Sequence, residues 1–181
     1  CVCDSGFGPN ANSPVDGCTP ATIDSATYDQ TTGVLVVMGT GFDTSLEIEA
    51  QKLTFGDGGS SAPAPLTADT SNVKPSSATQ FTLTLGTSAD KAAVDAVLAD
   101  LGFTSGGGNA YNLEAAEGWH GTNQLADTTA TINVTKTVGY DEDCDDTNLL
   151  CDAAIGEVCT NSKCVCDSGF GPNANSPVDG C

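Results

Sequence analysis

The chain has 181 residues, with 24 aspartates and glutamates against five lysines and no arginine, for a net charge of −19 at neutral pH. That balance excludes nucleic-acid binding, which needs a cationic face, and it repels anionic membrane surfaces. No stretch approaches the roughly 20 apolar residues of a membrane-spanning helix, and nine cysteines, none of them between residues 19 and 143, argue for an oxidising compartment, secreted or at a cell surface.

The first segment, CVCDSGFGPNANSPVDGC at 1–18, recurs letter for letter at 164–181, a period of 163 residues. Such a repeat reads as one full period plus an overlap of a longer tandem array. A recent duplication of one module, or one averaged repeat of a periodic object, leaves the same trace. On the array reading the partners are neighbouring copies of the same repeat along one chain. Residues 1–18 are then the second half of a preceding cysteine module, 19–139 a cysteine-free body, and 140–181 a complete cysteine module. The absence of an initiator Met and of a leader fits a fragment of a secreted precursor.

Within the body, Thr22–Tyr28 forms a short first strand. Gly33-Val-Leu-Val-Val-Met38 is a near-continuous apolar run, long enough for one buried strand. Lys52–Phe55 is a third candidate. Gln80–Leu85 alternates, so Phe81, Leu83 and Leu85 share a face. A helix follows: Ser88 can cap it, Ala93, Val94, Val97, Leu98 and Leu101 form its apolar stripe, and Gly102 stops it. A second, shorter helical turn is expected through Leu113–Glu117. Ala130–Val138 alternates again, with Ile132, Val134, Lys136 and Val138 on one side and Lys136 marking where that side meets solvent. About seven strands with closely spaced turns and one inserted helix predict an all-β class, an antiparallel sandwich.

The start of this body resembles IPT/TIG immunoglobulin-like domains. The residues that carry the likeness are Pro20-Ala-Thr-Ile23, then Gly33-Val-Leu-Val-Val-Met-Gly39-Thr-Gly41-Phe42. The resemblance implies an immunoglobulin-like β-sandwich with extracellular spacing, adhesion or ligand-binding roles and no catalysis of its own. The 88–118 insertion departs from the family's minimal pattern.

The cysteine module runs Cys144, Cys151, Cys159, Cys164, Cys166, Cys181. Six cysteines permit fifteen pairings. Cys164 and Cys166 are poorly placed to bridge each other, because their side chains diverge in an extended segment. A zinc site is the competing reading, without the paired CxxC knuckles or a nearby His. The Cys-x-Cys pair followed by Asp167-Ser168-Gly169-Phe170 resembles an EGF-like domain. That resemblance implies Cys144–Cys159, Cys151–Cys164 and Cys166–Cys181. By the repeat it also implies Cys3–Cys18, with Cys1 paired to a cysteine upstream of the segment. A module with so few large apolar side chains needs such staples.

Little else in the sequence carries chemistry. His120, the single histidine, stands beside Trp119, the single tryptophan. The expectation is that Trp119 packs at a sheet edge and His120 is solvated. No nucleophile elbow, HExxH, phosphate loop or dinucleotide fingerprint is present. No cofactor is required, and the expectation is that the chain is not an enzyme. Calcium is a candidate ligand, because Asp141, Glu142 and Asp143 lead into the cysteine module and calcium takes oxygen ligands. Asn133-Val-Thr135 is an N-glycosylation sequon on the last strand, opposite its apolar side, so Asn133 is expected to reach solvent. With 37 serines and threonines in all, covalent glycans are expected. These readings converge on a repeat unit of an extracellular fibril, immunoglobulin-like and EGF-like beads on a string. The alternative is the stalk of a surface adhesin or receptor, stiffened by calcium.

Overall fold

The structure is a computed structural model that describes residues 7–9, 18–59, 61–86, 89–122, 124–138, 144–145, 148–151 and 157–166. In chain order the elements are β1 (Phe7–Pro9), β2 (Cys18–Pro20), β3 (Thr22–Asp29), β4 (Val34–Thr40), a 3-10 turn (Ala50–Lys52), β5 (Leu53–Gly56), β6 (Ala64–Pro65) and β7 (Gln80–Thr84). Then come α1 (Ala89–Val97), β8 (Asn112–Ala115), β9 (Asp127–Val138), β10 (Leu149–Cys151), β11 (Glu157–Thr160) and β12 (Lys163–Cys166). The fold is predominantly β, with a single α-helix among the described residues.

One sheet organises the body, in the order β6-β5-β8-β9-β3-β4-β7. Its pairs are antiparallel except β3 with β9, which run parallel from Ser25↔Thr131 to Asp29↔Thr135, and β10, which joins β9 in parallel outside this order. The sheet curls. Three strand spacings separate β3 from β5, about 14 Å across a flat sheet, yet the rings of Tyr28 on β3 and Phe55 on β5 lie 6.4 Å apart. The two halves therefore face each other, and the core fills the space between them. Leu35 and Val37 of β4, Leu53 and Phe55 of β5, Phe81 and Leu83 of β7, Leu113 of β8 and Ile132 and Val134 of β9 are all sealed from solvent.

Burial alternates along β4. Leu35 and Val37 point inward, whereas Val34 and Val36 are half-buried and Met38 is 43% exposed. The apolar run is thus a strand buried on one face, as antiparallel sheets allow, not on both. The registers align three rows on the outer face: Thr82, Val36, Thr27 and Asn133; Gln80, Met38, Ser25 and Thr131; Thr84, Val34, Asp29 and Thr135. At the N-terminal end of β3 the register slips between Ile23 and Ser25. There the backbones crowd: a Cβ on Gly39 would sit 2.0 Å from the Thr22 carbonyl oxygen and 2.6 Å from the Phe42 ring. Only glycine fits.

Two expected elements differ. Leu113–Glu117 is no helical turn. Asn112–Ala115 is β8, held between β5 and β9, with Leu113 and Ala115 inward. Pairing on both sides outweighs the weak local helical preference of these residues. The helix also ends earlier than Gly102. It spans Ala89–Val97, the Leu98 carbonyl accepts from Gln30 Nε2 at 2.6 Å, and Gly102, at φ 93°, exchanges hydrogen bonds with Val134 instead. Val94 and Leu98 are fully buried and Val97 nearly so, while Ala93 is exposed. Ser88 lies outside the described residues.

Candidate functional site: the junctions at the two ends of the sheet

β9 is the spine of the molecule. Its twelve residues reach about 40 Å at strand rise. Along one edge its N–H groups are taken in turn by three separate segments: Ile132 donates to the Tyr111 carbonyl, Val134 to Gly102, and Lys136 to Asn148 at 2.6 Å. The last contact opens the parallel pairing of β10 with β9, Leu149↔Lys136 to Cys151↔Val138. The cysteine-rich segment is therefore attached through the sheet as well as through the chain.

Against the end of β9 sit two disulfides, Cys144–Cys159 and Cys151–Cys164. Val138 packs with Cys144 and Cys164, both buried, and with the half-buried Cys151 and Cys159. β11 and β12 form a hairpin whose two loop residues, Asn161 and Ser162, both have positive φ (54° and 63°). That twist matches the strands it joins and places Cys159 opposite Cys164. The two cysteines face each other in the hairpin and each bonds away from it, so the bridges tie the hairpin to Cys144 and to β10. The sulfurs of Cys144, Cys151 and Cys164 lie within 4.8 Å of one another, but each is spent in a bridge and offers no thiolate to a metal. Cys166 is disulfide-bonded. Its expected partner Cys181 lies outside the described residues, as do Cys1 and Cys3, and of Cys18 only the backbone, in β2, is described.

Asp141, Glu142 and Asp143, the expected calcium ligands, also lie outside the described residues. Asp145 is exposed, and its Oδ1 accepts the Asn148 N–H at 2.7 Å. Asn133 departs from expectation. It is half-buried, and its Oδ1 is shut from solvent without a hydrogen-bond partner. Thr135 of the same sequon is buried, its hydroxyl donating to the Tyr28 carbonyl at 3.3 Å. In the parallel register of β3 with β9, Thr27 stands beside Asn133 and Asp29 beside Thr135.

The opposite end of the body corrects a second expectation. Trp119 and His120 are both fully buried. Trp119 packs edge-on against Phe42 and lies 6.4 Å from Phe81, closing the open end of the core rather than lining a sheet edge. His120 Nε2 accepts the Asp43 N–H at 2.8 Å, which leaves the ring's proton on Nδ1, facing the Glu47 carbonyl. Burial pushes the imidazole below its ordinary pKa. Its free lone pair is already used, so the ring is a neutral structural group.

This plug ties down the start of the body. Gln124, 1% exposed, clasps Ala21 at both backbone groups: Ala21 N–H donates to Oε1 at 3.0 Å, and Nε2 donates to the Ala21 carbonyl at 2.7 Å. Asp127 accepts the Ile23 N–H at 2.8 Å, and Trp119 Nε1 donates to the Leu125 carbonyl. Ala21 directly follows β2, which pairs with β1. Sequence reading missed Gln124 and Asp127 because their partners lie more than 100 residues away.

A third polar cluster secures α1. Asp90, 2% exposed, accepts from the Thr67 N–H and hydroxyl and from the Thr70 hydroxyl at 2.7 Å. Burial alone would raise its pKa, but these hydrogen bonds outweigh it and hold the carboxyl below its ordinary value. Asp95 pairs with Lys91 at 2.6 Å and accepts the Tyr28 hydroxyl at 2.7 Å. Burial first, and then that bond, drive the phenol's pKa far upward. Among the described residues no helix is long and apolar enough to cross a membrane. No known protein family, curated protein sequence or solved structure matches the chain.

Proposed function

We propose that this chain is the repeat unit of an extracellular filament, in which immunoglobulin-like and EGF-like beads alternate along one polypeptide. The observation that carries the reading is β9, which belongs to the body for most of its length and to the cysteine-rich segment at its end. A junction made by strand pairing and two packed disulfides resists bending in a way a free linker does not. The N-terminal junction is restrained as well, because Gln124 and Asp127 grip the backbone within three residues of Pro20. On this reading the duplicated eighteen residues at 1–18 are the second half of the preceding bead.

The strand order supports the immunoglobulin-like reading of the body. β4 and β7 hydrogen-bond on one side of β3, and β9, β8 and β5 follow on the other. The parallel β3–β9 pair joins the two facing halves, and α1 lies in the connection between β7 and β8. The hairpin of β11 and β12 with its two outward bridges supports the EGF-like reading of the cysteine module. Disulfides are compatible with an extracellular location.

Electron microscopy of the native material tests the proposal. Unbranched strands with a regular body-and-knot spacing are expected, together with coding sequence on either side that repeats the period. A single copy in the gene, or a dissimilar domain directly flanking this one, overturns the filament in favour of a stalk.

A further inference from the structure

We propose that the disulfides packed against the end of β9 form a thiol–disulfide exchange site. There a small external thiol converts the pairs Cys144–Cys159 and Cys151–Cys164 into Cys144–Cys151 and Cys159–Cys164. The rearrangement unties the hairpin of β11 and β12 from β10, the strand that joins the sheet. Its effect on a filament's stiffness rests on the proposed tandem array, whereas the exchange itself does not.

Geometry brings the four sulfurs together in both combinations. Those of Cys144, Cys151 and Cys164 lie within 4.8 Å of one another, and Cys159 is bonded to Cys144. A sulfur moving between staggered rotamers travels about 3 Å, enough to bring Cys144 to Cys151. Cys159 and Cys164 stand opposite each other across the hairpin. A two-residue loop is closed by a hydrogen-bonded pair, here Thr160 and Lys163. One step along, Cys159 and Cys164 are then a non-hydrogen-bonded pair, with Cα atoms about 4.5 Å apart. Their side chains share a face, and a disulfide spans that separation.

Burial sets the direction of attack. Cys144 and Cys164 are sealed from solvent, whereas Cys151 and Cys159 are half-buried. An external thiolate therefore bonds to Cys159 Sγ, the Cys144–Cys159 bond breaks, and its electron pair leaves on Cys144. The Cys144 thiolate attacks Cys151 Sγ, forming Cys144–Cys151 and expelling Cys164. The Cys164 thiolate then attacks Cys159 Sγ in the mixed disulfide, forming Cys159–Cys164 and returning the external thiolate. Two bridges are consumed and two are made, with no net oxidation or reduction. Attack at Cys151 reaches the same products. The chain's net charge of −19 selects an uncharged or cationic thiol over an anionic one.

Fold and chain entropy pull in opposite directions. Packing of Val138 on Cys144 and Cys164 holds the native pairs, as does the pairing of β10 with β9. The native bridges have separations of 15 and 13, and each alternative bridge closes a shorter loop. In a flexible chain that difference favours the alternative pairs about ten-fold, so they gain wherever β10 is loosened from β9. Only the chain between Cys151 and Cys159 then connects the hairpin to β10.

Peptide mapping by mass spectrometry tests the exchange on the 181-residue chain. Alkylation without denaturant first blocks any free thiol, and cysteamine is then added in substoichiometric amount at mildly alkaline pH. Acid stops the reaction, and cleavage at Asp145, Asp152 and Lys163 parts the four cysteines. We expect Cys144–Cys151 and Cys159–Cys164 to rise together in equal amounts, with the added thiol recovered free. Urea below the unfolding midpoint should raise their share. Cys151→Ser with Cys164→Ser removes the second bridge and should halt the reaction at the mixed disulfide. Should that variant fail to fold, the mapping of the parent chain still decides. Native pairs that persist unchanged, or bridges lost without the new pairs, overturn the proposal. So do new pairs that form only where Trp119 fluorescence reports an unfolded body. Each of these results leaves the array untouched, since that is decided by the flanking sequence, and a single copy in the gene removes the array without touching the exchange.

Discussion

Gln124 offers the sharpest test of how the body is held to what precedes it. Replacing it with Met keeps most of the side-chain volume and removes both bonds to Ala21. The Ala21 N–H and carbonyl are then stranded at a residue 2% exposed. Each buried, unsatisfied backbone group costs about 1–3 kcal/mol, so the pair amounts to about 2–6 kcal/mol, with the lower half favoured because the plug sits at the end of the core, where water can reach a vacated bond. With a urea slope of about 2 kcal/mol/M, a loss of about 3 kcal/mol moves the midpoint down by about 1.5 M. Trp119, the single tryptophan, donates to the adjacent Leu125 carbonyl and reports this region directly by fluorescence. Far-UV circular dichroism reports the sheet, and coincident transitions establish that one cooperative unit is being measured. Gln124→Ala should lose more than Gln124→Met, by the cavity it adds. A Gln124→Met protein within about 0.5 kcal/mol of the parent refutes the assignment, since that is the ordinary scatter of neutral substitutions.

His120 predicts a pH dependence. Its folded pKa lies below its ordinary 6.5, so the unfolded chain takes up a proton that the folded chain refuses. Stability is therefore complete above that value and falls as pH drops from 7 towards 5. His120→Gln, which can keep an acceptor for Asp43, should flatten the change in urea midpoint across that window. Asp90, depressed below its ordinary 3.8, gives a separate loss that begins near that value and grows as pH falls through the folded pKa, so the two effects separate along the pH axis. Gly39→Ala should cost about 3 kcal/mol or more, since its Cβ would meet backbone and not a movable side chain. A fully soluble variant with an unchanged melting temperature would contradict the close approach of β3 and β4. Removing the Cys151–Cys164 bridge by double substitution with serine opens a link of separation 13, worth about 3 kcal/mol to the cysteine module. Hydrogen exchange should then accelerate at Lys136, whose N–H is held by Asn148, while Val134, held by Gly102, stays protected.

The β-rich character, five of the body's strands and one helix were legible in the sequence, because period-two alternation in Gln80–Leu85 and Ala130–Val138 needs only local chemistry to be read. The grouping of cysteines at both ends was legible for the same reason. Asn112–Ala115 was not: four residues with mild helical preference become a strand when neighbours on both sides supply hydrogen bonds, and nothing local announces those neighbours. The fates of His120 and Asn133 were equally hidden. A lone histidine in a Gly-rich stretch looks solvated until Asp43 and Phe42 fold over it. An asparagine opposite the apolar side looks open, yet its Oδ1 is shut from solvent. Sequence by itself determined the local periodicities, the charge and the repeat. The curl of the sheet, the passage of β9 into the cysteine-rich segment and the clasp of Gln124 on Ala21 were decided only by tertiary structure, because each is a contact between residues whose separation along the chain carries no signal of their meeting.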